Sequence, residues 1–139
     1  MENKNELLKP FVKLFISDLS RVTRCRREGG WTLPDKHQRP PLHMVWIQGS
    51  VKGITRNSDV FEIEELGSNN RIGSVNVICS GIGIPYSPKK GEYCQVLGEI
   101  VEDPAKNLAA AIRAIKIVPI QDAVLQEMWP IEVEELKNV

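Results

Sequence analysis

Apolar residues change their spacing twice along the chain. Between Leu8 and Val22 they recur every three or four residues, which is the period of an amphipathic helix. From Met44 to Val118 they alternate with polar residues, which is the period of a strand. After Gln121 the helical period returns. The pattern therefore predicts a helix, a strand-rich domain and a second helix.

The alternating part contains five segments, separated by turns and by a connection rich in glycine and proline. They begin at Met44, Asp59, Ile72, Glu92 and Leu108. Five strands between residues 44 and 118 favour a small closed barrel, and Gly49 and Gly98 inside two of them suit sharp bends. We therefore expect an all-β core with flanking helices, namely a five-stranded OB-fold barrel with N-terminal and C-terminal α-helices. An SH3-like barrel is the nearest alternative.

These elements divide the chain into four segments. Residues 1–30 form the N-terminal helix and its arginine-rich end, residues 31–43 an irregular proline-rich linker, residues 44–118 the barrel, and residues 119–139 the C-terminal helix. In the linker, Trp31 is interpreted as an anchor to the core. The chain is thus expected to be one domain with helical extensions.

The apolar residues of the C-terminal helix cover a wider part of its surface than packing on one neighbouring element requires. Asp122 can cap this helix, and Pro130 predicts a kink or a restart. Tryptophan and methionine at the centre of this apolar surface are typical of an interface hot spot. This favours a partner interface over packing against the N-terminal helix. The predicted interface residues are Val124, Leu125, Met128, Trp129, Val133 and Leu136.

The charges balance overall but not locally. Eighteen basic and eighteen acidic side chains give a formal net charge of zero. Residues 1–40 carry +4, residues 41–120 carry zero and residues 121–139 carry −4. Overall neutrality argues against a protein that binds polyanions in general, because such affinity comes mainly from lysine and arginine on phosphates.

No residues form a recognisable catalytic or metal site. The three cysteines are widely spaced and lie far from both histidines, so neither a zinc site nor a disulfide framework is expected, and a reducing compartment is favoured. Nucleophile-elbow, dinucleotide-binding and phosphate-loop motifs are absent from the sequence. We expect a protein that is not an enzyme, binds no cofactor and does not span a membrane.

Single-stranded nucleic acid is the usual ligand of an OB-fold, which reads it with aromatic platforms and a basic groove on the second and third strands. The second predicted strand here carries Asp59, Glu62, Glu64 and Glu65 and no cation. The third carries no aromatic residue. Weak or no direct nucleic-acid binding is therefore expected. An autonomous single-stranded DNA binder of the replication protein A or telomere-cap type is the alternative.

Several strings along the chain resemble one known family. They are the tail MWPIEVEEL, the first strand VWIQGSV, the fourth strand GEYCQVLGEIV, the AIKI segment and Trp31 before the barrel. Together they resemble the second, smaller subunit of the RecQ-mediated genome instability (RMI) complex, from about Val12 to Leu136. The most specific residues are those of the tail, namely Trp129, Glu132, Val133, Glu134 and Leu136, together with Val45–Gly49.

The resemblance implies a nuclear, non-catalytic OB-fold adaptor that pairs with an OB-fold of the larger RMI subunit through packed C-terminal helices. It implies indirect association with topoisomerase III and a RecQ-family helicase, and support for dissolution of double Holliday junctions. It also implies a surface for a peptide of a Fanconi anaemia translocase, to which Lys116 would contribute.

Overall fold

Strands dominate the part of the chain that the structure, a computed structural model, describes: residues 11–25, 29–33, 41–55, 59–66, 72–79, 88–106 and 109–137. The elements in chain order are β1 (Phe11–Lys13), α1 (Ile16–Leu19), β2 (Thr23–Arg24), β3 (Trp31–Thr32), β4 (Met44–Ile54), β5 (Val60–Leu66), β6 (Ile72–Ile78), β7 (Tyr93–Glu102), β8 (Ala110–Pro119) and α2 (Ala123–Lys137). Neither helix of these residues has the length and apolar character needed to cross a membrane.

Five strands close into a barrel in the order β4, β5, β6, β8, β7, and β7 pairs back with β4. The β6–β8 pairing is parallel and the other pairings of the barrel are antiparallel. Closure leaves these strands without a free edge along most of their length. The OB-fold that the sequence predicts is confirmed.

Alternate residues of the barrel strands form one hydrophobic core. Val45, Ile47, Phe61, Ile63 and Val77 are all almost completely buried. Trp31 lies in the same core with 4% of its surface exposed, as its interpretation as an anchor predicts.

Gly98 is required where β7 and β8 approach each other. A Cβ atom at this position would lie 2.5 Å from the Arg113 carbonyl oxygen, and the register between the two strands shifts beside it. Any larger residue would push the strands apart, so glycine lets the barrel coil tightly here.

The N-terminal helix is much shorter than the apolar spacing predicts. Residues 11–13 form β1, which pairs in parallel with Met44–Trp46 of β4, and α1 covers only Ile16–Leu19. The edge of β4 offers backbone hydrogen bonds that a lone helical turn lacks, so tertiary pairing overrides the local helical period. Leu8, where the predicted helical spacing begins, lies outside the described residues.

The predicted basic end of that helix is a strand instead. Arg24 lies in β2, which pairs antiparallel with β3, and its guanidinium lies 3.3 Å from a carboxylate oxygen of Glu102. Both side chains are largely exposed, so this ion pair contributes little to stability. Arg26 and Arg27 of the same cluster lie outside the described residues.

Two β-bulges redirect side chains on the barrel surface. Lys52 is the extra residue between Val51 and Gly53 in the β4–β5 pairing. Ile115 is the extra residue in β8, because Leu97 pairs with Lys116 while Gly98 pairs with Ala114. The second bulge leaves both Ile115 and Lys116 exposed on the outside of the barrel.

Candidate protein-interaction site

One face of α2 packs on the barrel through a small apolar cluster, which we call the seat. It consists of Phe15, Trp129 and Val133, with Trp46 of β4 packed against them. Phe15 lies at the junction between β1 and α1, so the N-terminal segment supplies one residue of the seat. The rings of Trp46 and Trp129 lie 6.0 Å apart at an interplanar angle of 41°, a tilted aromatic contact.

The ammonium group of Lys13 lies at the edge of the seat, next to Trp46 and α2. The Lys13 ammonium lies 4.3 Å from the centroid of the Trp46 ring and 3.0 Å from a carboxylate oxygen of Glu132. It therefore joins β1 and β4 to α2 by a cation–π contact and an ion pair at once. Because both charged side chains are partly exposed, each contact stabilises the docked helix only modestly.

The structure divides the predicted interface residues between two environments. Trp129 and Val133 are buried in the seat, with 1% and 0% of their surfaces exposed, so neither is available to a partner on the surface of the isolated chain. Val124, Leu125 and Met128 are exposed at 59%, 52% and 43%. The side chain of Leu136 lies outside the described part of the chain. In the isolated chain Trp129 thus lies inside the fold and not on its surface, while the partner contact of these residues stays a prediction.

The exposed apolar residues of α2 form one surface, which we call the stripe. It consists of Val124, Leu125, Met128 and Ile131. Sequence analysis missed Ile131, although its spacing of seven from Val124 and three from Met128 puts it on the same side of the helix. Four neighbouring large apolar side chains in solvent mark a surface that fits a partner.

Pro130 does not interrupt the helix. α2 runs through it as one element from Ala123 to Lys137, so the predicted restart is wrong. The buried residues Trp129 and Val133 fix the chain next to the proline and one turn beyond it, which offsets the loss of one backbone donor. The Val124 N–H donates to a carboxylate oxygen of Asp122 at 2.8 Å, in agreement with the predicted cap.

A groove of about 330 Å³ lies between α2 and the barrel, beside the seat. Its lining comprises Ser50, Glu64, Glu65, Tyr93, Ala123, Gln126, Glu127, Trp129 and Pro130. Three of these residues carry carboxyl groups and none carries a positive charge. Yet no group of three or more metal-ligating side chains among the described residues could hold a metal ion.

Glu65 is a partly buried acid of this groove. The backbone N–H of Ile16 donates to its Oε1 at 2.6 Å, so the carboxyl joins the end of β5 to the start of α1. Burial raises the pKa of Glu65 to about 8, although the Ile16 hydrogen bond and the nearby Trp129 indole lower it, and Asp18 raises it further. Glu65 is therefore largely protonated at neutral pH.

Lys116 lies at one end of a cross-strand row on the outside of the barrel. The register aligns Lys13 with Trp46, Trp46 with Leu97, and Leu97 with Lys116. The row therefore leads from the Lys13 contact beside α2 across β4 and β7 to the exposed bulge of β8. This places Lys116 on a surface continuous with the seat, three strand pairings away from Lys13.

The outer face of β5 and β6 is the usual ligand surface of an OB-fold. Here Glu62 pairs across the strands with Asn76, and Glu64 pairs with Ser74. The Lys52 ammonium lies 3.9 Å from Glu64 and offsets only one of these charges. Phe61, the aromatic residue of β5, points into the core and is 1% exposed. The described residues of this face thus offer neither a stacking platform nor a net positive charge.

The comparison with family models identifies one family. The model of RecQ-mediated genome instability protein 2 matches residues 10–137, which is nearly the whole chain. A search of curated protein sequences finds no significant match.

The solved structures with a similar fold include chains from two assemblies. A chain of the S. pombe Stn1–Ten1 complex is 15% identical with a TM-score of 0.68, and the match covers 94% of this chain and 93% of that one. A chain of a replication protein A heterotrimer bound to single-stranded DNA is 13% identical with a TM-score of 0.66, covering 93% and 96%. At these identities the two matches establish the shared fold.

Proposed function

The chain belongs to the RecQ-mediated genome instability protein 2 family, and on that premise we propose that it is a non-catalytic adaptor subunit. Its direct partner is the OB-fold of a larger RMI-like subunit. Through that subunit it supports a complex of topoisomerase III and a RecQ-family helicase that dissolves double Holliday junctions in the nucleus.

The observation that carries this proposal is the exposed stripe on a helix that is already fixed in place. Val124, Leu125, Met128 and Ile131 have between 43% and 59% of their surfaces in solvent, while the opposite face of α2 is held by Trp129. A helix that is ordered before it binds loses little conformational entropy on association. The stripe therefore suits a helix of the partner that packs along α2.

The similar structures support an assembly of OB-folds. Both were solved as parts of complexes, one named for two proteins and the other for a heterotrimer. We infer by analogy that this chain also joins a second OB-fold subunit. The stripe is the surface of the described residues that best fits such a contact, because its exposed side chains are large and apolar.

Co-purification of the larger subunit with stripe variants tests the proposal. Met128→Gln and Ile131→Gln each replace an exposed apolar side chain by a polar one of good helix propensity. If these residues are hot spots, each costs about 2 kcal/mol or more of association, roughly a thirtyfold loss of affinity.

The matched control is Glu134→Gln, which introduces the same residue at an exposed position of α2 that is already polar, one turn after Ile131. It should retain the partner. The proposed interface is refuted if the two stripe variants bind the larger subunit as tightly as this control does.

We also propose that Lys116 contributes to a surface that binds a peptide ligand. Its exposure beside the bulged Ile115 gives an apolar and a cationic group next to each other, which suits a peptide with apolar and acidic residues. Lys116→Gln should weaken such a peptide in a fluorescence anisotropy titration of the assembled heterodimer, without releasing the larger subunit. An unchanged affinity would remove Lys116 from the site.

The alternative function, autonomous binding of single-stranded DNA, predicts a different result. The acidic outer face of β5 and β6 should repel phosphate, so the isolated chain should bind a fluorescent oligonucleotide weakly. Sub-micromolar affinity that falls steeply with salt would favour the alternative over the adaptor.

A further inference from the structure

The stripe on α2 has an acidic border. Glu127 and Glu135 lie four residues before and four residues after Ile131, a spacing that places all three on the same side of the helix. Both glutamates are exposed. Between Gln121 and Glu135 the sequence has five acidic residues and no lysine or arginine. A partner that covers the stripe therefore meets negative charge on either side of Ile131.

The placement of these acids does not stabilise α2 itself. Glu135 lies in the last turn of the helix, which ends at Lys137, and the carbonyl end of a helix disfavours a negative charge. Glu132, three residues before Glu135, has the same sign, and Lys13 already offsets its charge. Within the part of the chain that the structure describes, no ion pair joins a basic side chain to Glu127 or Glu135. Both charges are thus free to meet the cations of a partner.

The groove between α2 and the barrel continues the acidic border. Glu127 lines it from α2 and Glu64 lines it from β5, while the described residues of its lining include no lysine or arginine. The Lys52 ammonium lies 3.9 Å from Glu64 but does not line the groove. With a volume of about 330 Å³, the groove has room for a long cationic side chain that reaches down from a helix packed on the stripe.

A second copy of this chain fits the same surface poorly. If two α2 helices packed antiparallel around Ile131, Glu127 of one copy would face Glu135 of the other, because both lie four residues from Ile131. In a parallel packing each acid would face its own counterpart. Like charges that face each other across an interface cost free energy, so the acidic border acts against self-association in both orientations.

On the basis of the proposed function, we propose that the stripe receives an amphipathic helix of the larger subunit whose apolar face is bordered by lysine or arginine residues. One of these cationic side chains enters the groove beside Glu127 and Glu64. The apolar contacts supply most of the affinity, whereas the charges speed the encounter and select this helix over a second copy of the chain.

The test is a stopped-flow measurement of the association of the full chain with the larger subunit at increasing salt. The rate constant should fall by about tenfold or more between about 0.05 and 0.5 M salt. Glu127→Lys combined with Glu135→Lys should lower the rate at low salt by a similar factor and remove most of the salt dependence. The matched control combines Asp59→Lys with Glu62→Lys, which makes the same change of net charge on β5 and beside it and should keep most of both.

Three results separate the basic border from the proposed function. A rate that responds neither to salt nor to the reversal on α2 overturns the basic border, and the first of these measurements needs no variant to fold. If Met128→Gln and Ile131→Gln still weaken binding in that case, the proposed function stands without it. Sedimentation velocity of the isolated chain should show a monomer. A dimer that Met128→Gln dissociates would show that a second copy covers the stripe, which also overturns the proposal.

Discussion

The two sides of α2 have similar compositions and opposite environments. One side places Trp129 and Val133 against Phe15 and Trp46, where both are buried. The other places Met128 and its apolar neighbours in solvent. Hydrophobicity alone cannot show which side is buried, because the sequence has apolar residues on both sides of the helix. The position of the β1–α1 junction decides which side is buried, so the same helix has one side for folding and another for assembly.

The largest change in the free energy of unfolding is expected for a substitution on the buried side of α2. Trp129→Ala should lower the free energy of unfolding by about 3–5 kcal/mol, because it removes the largest side chain of the seat and leaves a cavity. Urea denaturation of the isolated chain measures this loss. A change below 1 kcal/mol would show that the buried side of α2 contributes little to folding, and would return Trp129 to the candidates for partner contact.

The second largest effect on the free energy of unfolding is expected at Glu65, the acid in the groove beneath α2. The pKa of Glu65 is about 8 in the folded chain and 4.5 when exposed, so the stability that its neutral form contributes is complete below 4.5 and is lost as the pH rises through 8. Glu65→Gln avoids this loss and should raise the free energy of unfolding at pH 8 by about 2–4 kcal/mol. Urea denaturation at pH 5 and pH 8 tests this prediction. The gain in the free energy of unfolding from Glu65→Gln must be smaller at pH 5 than at pH 8.

A smaller effect is expected at the edge of the seat. Lys13→Gln removes both the cation above the Trp46 ring and the ion pair with Glu132. We expect a loss of about 0.5–1 kcal/mol, which added salt should reduce. Arg113→Gln breaks the exposed Arg113–Glu99 pair far from α2 and serves as the control, with a smaller loss. Equal losses in the two variants would show that Lys13 does not help to hold the helix.

The smallest effect on folding is expected on the exposed side. Met128→Gln and Ile131→Gln should change the free energy of unfolding by no more than about 0.5 kcal/mol, because both side chains already contact water. Thermal denaturation of each variant against the unaltered chain measures this. A loss as large as that of Trp129→Ala would mean that the exposed side is part of the fold, which would contradict the contrast between the two sides.

Alternation of polar and apolar residues was sufficient to predict the barrel. Phe61 and Ile63 point inward as that period requires. Glu65 lies two residues after Ile63 on the same strand, so the sequence contained a signal for a partly buried acid that sequence analysis missed. The apolar spacing from Leu8 to Val22 was misleading, because Phe11–Lys13 pair with β4. A strand of three residues has too few positions for its period to be distinguished from that of a helix.

The sequence by itself determined the class of the fold, the presence of the C-terminal helix and the excess of acids on the usual ligand face. These properties follow from the chemistry and the spacing of neighbouring residues, which are local. Only the tertiary structure decided that Trp129 is buried while Met128 is exposed, that β8 bulges at Ile115, and that Glu65 lies between two helical elements. Each of these depends on which distant segments meet, and local spacing carries no information about that.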